Sequence, residues 1–184
     1  MVLVKSLPIT LGTTMTSFTL KDPKGIEFKS DDLCGSKGML VVFTCNHCPY
    51  AIAVWPRLIK LAAHAKDFGI ETIAINANIH PHFPEDSAPE MIKKIKEWGI
   101  FFPYLVDQKQ AVAKSFKAQC TPDIYLFDAN KSLIYHGRID DNWHDESTVK
   151  KEELKNAIDT YASGKEITSK QNPSVGCSIK WINY

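Results

Sequence analysis

The chain has 184 residues, enough for one domain with a sizeable core and too few for two comfortable ones. Lys and Arg total 22 against 21 Asp and Glu, a net charge of +1, which gives no electrostatic basis for binding nucleic acid or an anionic membrane. No apolar run approaches the ~20 residues of a membrane span.

The opening "MVLVKSLPITLG" breaks its apolar stretch with a lysine and is expected to be a mature start rather than a signal peptide. "SFTLKDPKGIEFKS" (17–30) alternates apolar and polar residues on each side of Pro23-Lys24-Gly25, which predicts a β-hairpin. "GMLVVFT" (38–44) reads as a strand buried on both faces. It leads into "CNHC", and Ile52, Trp55, Ile59 and Ala62 then recur at helical spacing. A helix is predicted from Pro49 to Lys66, kinked at Pro56 and ended before Gly69.

"IETIAINAN" (70–78) is a second buried strand, followed by the long loop "IHPHFPEDS". Ser87 and Glu90 have the spacing of a capping box for a helix carrying Met91, Ile92, Ile95 and Trp98 and stopped by Gly99. "KKIK" at 93–96 and "KK" at 150–151 read as solvated faces. A short helix is expected at 111–116. "PDIYLFD" (122–128) and "SLIYHGRI" (132–139) form a hairpin, and a last amphipathic helix runs from Thr148 to Tyr161. The tail has no clear period. The order of elements predicts an α/β sandwich in residues 1–164, with 165–184 as a tail packing on it.

In such a sheet, ligands meet the protein beyond the carboxyl ends of the parallel strands. Three segments should converge there: Cys45 and Cys48, His80 and His82, and Cys120-Thr121-Pro122. Two cysteines three apart around a helix start can form a small-ring disulfide with little motion, and the first, Cys45, is expected where the helix amides favour negative charge.

The strand–CxxC–helix, the later Thr121-Pro122 before a hairpin, "FPYLVD" and the opening "FTLKDPKG" resemble the thioredoxin-like superfamily. Over residues 17–161 the likeness is to its redoxin branch, which groups alkyl hydroperoxide reductases and thiol-specific antioxidants with thioredoxins of cytochrome maturation. The resemblance implies a three-layer sandwich with a central mixed sheet and an N-terminal β-hairpin extension. It also implies thiol–disulfide exchange in which Cys45 is the exposed nucleophile, Cys48 resolves, and a cis Pro122 shapes a substrate groove. Thr44, Asn46, His47, Thr121 and Cys120 would line or tune it.

Departures from the family pattern are Thr44 in place of a Trp, Asn46-His47 between the cysteines, and no acid in the strand beneath the site. His47 is expected to add positive charge near the thiols. No metal or organic cofactor is implied. The expected partners are a protein or small-molecule disulfide and a thiol reductant such as a thioredoxin or glutathione.

Rival readings are a thiol peroxidase using Cys48, a redox-inactive module with Asp140 and Asp141 facing a partner, and zinc held by Cys45, Cys48, His80 and His82. Cys34 is expected to be inert, and His64 and His136 structural or surface residues. Cys120, two residues before Pro122, is expected near the site, within reach of a third-thiol role, and Cys177 sits in a tail that Ile179 and Trp181 can fold back over the same edge. Two unconnected structural thiols are the simpler expectation for that pair. The five cysteines, an odd count, fit a reducing cytoplasm.

Overall fold

The computed structural model describes residues 3–182; Met1, Val2, Asn183 and Tyr184, at the ends of the expected mature start and tail, lie outside the described residues. The apolar run 38–43 becomes strand β4 (Gly38–Phe43), every residue of it buried. Its alternate side chains point to opposite faces. Leu40 and Val42 enter one core and Met39, Val41 and Phe43 the other.

β4 lies beside β5 (Ile70–Asn76), and the Thr44 amide donates to the Ile75 carbonyl at 2.9 Å. β5 pairs in parallel with β6 (Tyr104–Val106). The predicted hairpin forms as β2 (Thr19–Lys21) and β3 (Glu27–Lys29). β2 pairs with β6, so the hairpin lengthens the central sheet at its edge. On the other side β4 pairs antiparallel with β8 (Asp123–Asp128), and β8 with β9 (Leu133–Gly137). The result is one mixed sheet in the order β3-β2-β6-β5-β4-β8-β9.

One face is covered by α1 (Pro49–Asp67), α2 (Ala88–Trp98) and α4 (Glu153–Ala162), which bring Trp55, Leu58, Met91, Leu154 and Ile158 into the first core. The other face is covered by α3 (Ala111–Ser115) and by Met15, Phe18 and Ile179. No described helix is long and apolar enough to cross a membrane.

Several local expectations differ. Ser87 occupies the N-cap of α2, but its side chain makes no cap bond; Glu90 is drawn instead to Lys93 one turn on. The last helix starts at Glu153, not Thr148. Asp141 Oδ1 accepts from the amides of Lys150 (2.9 Å) and Lys151 (3.1 Å), which holds that stretch outside the helix.

The tail contains a strand, β10 (Val175–Ser178), which the sequence did not suggest. It lies between β1 (Leu3–Lys5) and β7 (Cys120–Thr121), antiparallel to both. Ile179 is buried as an anchor, whereas Trp181 is exposed, with the Lys114 ammonium over its ring.

Gly176 lets β10 approach this closely, since a Cβ there would collide with the Thr121 carbonyl. Gly176→Ala should therefore lower stability by about 1–3 kcal/mol, as overpacking does. Urea unfolding of the two proteins checks this, and an unchanged midpoint would show that β10 shifts at no cost.

Candidate active site

β4 ends one residue before Thr44, and α1 begins one residue after Cys48. The CxxC therefore bridges strand and helix at the carboxyl edge of β4 and β5. Cys48 is the N-cap of α1 and Pro49 its first residue, where a missing amide hydrogen costs nothing.

Thr121-Pro122 reaches the same edge, and the bond between them is cis. The Cys45 Sγ lies 3.3 Å from the Thr121 hydroxyl. The Cys48 thiol donates to the Thr121 carbonyl at 3.2 Å. Thr44 is buried beneath the loop. Trp55 Nε1 donates to the Cys45 carbonyl at 3.3 Å, tying the loop to the first core.

Asn46 and His47, between the two cysteines, have a partner that the sequence reading missed. Asp86, in the loop after β5, is fully buried. Its Oδ1 accepts from the Asn46 amide (2.6 Å) and the Asn76 side chain (3.0 Å). Its Oδ2 pairs with His47 Nδ1, and the His47 ring stacks on Phe83 with centroids 4.3 Å apart. Asn46 also donates to the Glu85 carbonyl (2.8 Å) and accepts from the Tyr104 hydroxyl (3.0 Å). His47 therefore pairs with a buried carboxylate, and Cys45 lies in the same cluster.

Cys45 and Cys48 are both fully buried, which corrects the expectation of an exposed Cys45. Burial is the main influence pushing the Cys45 thiol well up, and the Cys48 thiol and the Asp86 charge add to it. Cys48 moves the other way, down to about 5. The Cys45 thiol is the strongest influence favouring its thiolate, followed after burial by the Cys177 thiol and then the backbone amides of Ala51 and Cys177. Cys48 stands at the N-cap of α1, although its side chain makes no cap bond.

Cys177 is part of this cluster: Cys45, Cys48, Ala51 and Cys177 pack together, with Tyr50 against them. Cys120 is not. Neighbours on a strand point to opposite faces, and while Thr121 faces Cys45, the Cys120 thiol turns to the Pro122 carbonyl at 3.5 Å. Burial pushes Cys120 far up. Cys34 is half-buried beside the second core. The backbone of Thr121, expected to edge a substrate groove, is already paired with Cys177 of the chain's own β10.

Asp140 and Asp141 present no acidic surface. Asp140 is buried and paired with Arg57, and Asp141 holds the amides before α4. His64 pairs with Asp159, and buried His136 bonds Asp123 at 2.9 Å.

Among the described residues, one group has ligand atoms close enough to share a metal ion: Cys45, His47 and Asp86, within 4.8 Å of one another. Both Asp86 oxygens are already engaged there by Asn46, Asn76 and His47, while the buried His47 Nε2 has no partner among the described residues. His80 and His82 enter no such group; their rings meet each other at 4.9 Å.

The AhpC/TSA family matches residues 11–136. The chain belongs to this family. Over its full length it is 36% identical to the solved structure of an uncharacterized conserved protein from Geobacillus kaustophilus, covering 98% of that chain with a TM-score of 0.93.

A curated relative of this family member is the thiol-disulfide oxidoreductase ResA of Halalkalibacterium halodurans. It is 26% identical over 67% of this chain and 65% of its own length, so the chain spans just under two thirds of that relative. The thioredoxin domain of a thiol-disulfide oxidoreductase from Bacteroides vulgatus has the same fold at 18% identity, with a TM-score of 0.64 over 84% of this chain and 99% of that one. The three-layer, thioredoxin-like architecture is thus the observed one.

Asp86→Asn removes the charge that raises Cys45 while keeping an oxygen for the Asn46 and Asn76 donors. In a Cys48→Ser background it should lower the pH midpoint of Cys45 alkylation; an unmoved midpoint would show that the carboxylate is not felt there. Asp86→Ala strands those donors and should cost about 1–3 kcal/mol in urea unfolding.

Proposed function

We propose that the protein is a thiol–disulfide oxidoreductase acting through Cys45 and Cys48. The observation that carries this reading is the pair itself: two thiols in mutual contact, one raised and one lowered, at the sheet edge beside cis Pro122. The ResA relative and the AhpC/TSA match support it.

Cys48 is the thiolate that attacks a substrate disulfide. Cys45 then attacks the mixed disulfide, its proton leaves with the substrate thiol, and a Cys45–Cys48 disulfide remains. Cys45 is suited to this second step because it stays protonated until its neighbour has reacted. Thr121, Pro122, Asn46 and His47 hold the two sulphurs in place. Substrate must reach sulphurs that the closed chain covers, so β10 or the Tyr50 side has to open. Protein or small disulfides are the substrate class, and a dithiol protein or glutathione the reductant. The cytoplasm is the proposed location, on the strength of the odd count of five cysteines.

One observation favours a second reading, a thiol peroxidase. The lowered thiol is Cys48, at a helix start with Pro49 after it, where a peroxide-cleaving thiolate is required. The two readings share the nucleophile and differ in the oxidant.

Reduced wild type, Cys45→Ser and Cys48→Ser should be given glutathione disulfide or hydrogen peroxide in turn, and glutathione release or peroxide loss followed. The oxidoreductase reading expects Cys45→Ser to release glutathione about as fast as wild type, Cys48→Ser to be at least tenfold slower, and peroxide to be consumed slowly by all three. Fast peroxide loss with a sulfenate on Cys48, and slow reaction with the disulfide, would replace it with the peroxidase.

A further inference from the structure

The tail strand β10 places a third thiol against the pair. Cys177 is the register partner of Thr121, whose hydroxyl meets Cys45 and whose carbonyl meets Cys48. Directly opposed residues of an antiparallel pair project to the same face. Cys177 therefore points toward the two active thiols, and it packs with them in one buried cluster.

This placement is built into the fold. Gly176 permits the close approach, β1 pairs along the outer side, and Ile179 sits in the second core. Beyond the strand, Gln110 donates to the Lys180 carbonyl (2.7 Å) and accepts from the Ile182 amide (2.8 Å). Asn78 accepts from the Lys180 amide (2.8 Å). Four separate anchors hold a segment whose sequence shows no periodic pattern.

We infer that Cys177 is a second resolving thiol for Cys48, closing a Cys48–Cys177 disulfide that ties the C-terminal strand to the start of α1. The inference rests on the exchange reading above and names a residue which that reading does not use. With glutathione disulfide as oxidant, the Cys48 thiolate attacks one sulphur, the S–S bond breaks, and one glutathione leaves as thiolate. The Cys177 sulphur then attacks the Cys48 sulphur of the mixed disulfide. That bond breaks in turn, and the Cys177 proton goes to the second glutathione. Two cysteines are oxidised, one glutathione disulfide is reduced to two thiols, and no further reactant is needed.

Burial holds Cys177 protonated, up at about 12, as a thiol awaiting its turn would be. The product has a structural consequence. Thr121 would be covered by a strand covalently fixed at Cys177, so this oxidised form is closed to a substrate backbone until Cys48–Cys177 is reduced.

The test uses the full chain, reduced and then treated with glutathione disulfide, acid-quenched, alkylated and mapped by mass spectrometry. In Cys45→Ser the expected product is a Cys48–Cys177 cross-linked peptide with loss of the protein-bound glutathione. In Cys45→Ser/Cys177→Ser the glutathione should remain on Cys48. Wild type should yield the Cys48–Cys177 peptide alongside Cys45–Cys48, which decides the matter even if a variant fails to fold. A stable glutathione adduct on Cys48 in Cys45→Ser with Cys177 fully alkylated, together with only Cys45–Cys48 in wild type, would overturn the inference while leaving the exchange reading intact. No glutathione released from any protein would overturn both, because Cys177 has nothing to resolve unless Cys48 reacts first.

Discussion

A sulphur sealed from water keeps a negative charge only if protein dipoles replace the solvent. At Cys48 the replacement is local and asymmetric. Thiols stand on both sides of it, and the amides of Ala51 and Cys177 lie against it. Cys45, one short loop away, is sealed as deeply but faces the Asp86 carboxylate. The same burial thus raises one thiol and, with the right donors, lets the other fall. Everything around the site serves that contrast. Cys48 stands at the N-cap of α1, the Thr121-Pro122 loop sets both sulphurs against Thr121, and β10 closes the far side.

Asp86 fixes the loop that carries the cysteines. Its two oxygens bind the Asn46 amide, the Asn76 side chain and the His47 ring, so the residues between the cysteines are docked on the edge of β5. The Asn-His pair in the CxxC is explained by this docking. A Gly-Pro pair there would have neither the ring that meets Oδ2 nor the side chain that reaches the Glu85 carbonyl and Tyr104. The carboxylate does two things at once: it holds the loop and it biases which cysteine ionises.

Much of this was legible in the sequence. The all-apolar β4, the helix after Pro49, the hairpin around Pro23-Lys24-Gly25 and the convergence of Thr121-Pro122 on the CxxC all follow from local pattern and chain direction. Two features were not. Asp86 sits among Pro, Glu and Ser in a loop that reads as solvated, and only the approach of Asn46 and His47 makes it a buried anchor. β10 is Val-Gly-Cys-Ser, with no alternation and a glycine at its centre. It is a strand because β1 and β7 pair with it from both sides, and its glycine is what lets it fit. The exposure of Cys45 was misread for a related reason: only the packing of β10 and Cys177 against the pair shows that both sulphurs are sealed.

The account stands most directly on which sulphur ionises first. Alkylation of the reduced protein by iodoacetamide, followed against pH and read separately at each cysteine by mass spectrometry, measures it. Cys48 should reach half its plateau rate at about pH 5 and stay flat above. Cys45 should still be rising beyond 9.0, the ordinary thiol value. The reduced fold, stabilised by the Cys48 thiolate, should lose that stability as pH falls toward about 5 and hold it fully above 9.0. A Cys45 that titrates below Cys48 would contradict the assignment and return the nucleophile to the first cysteine.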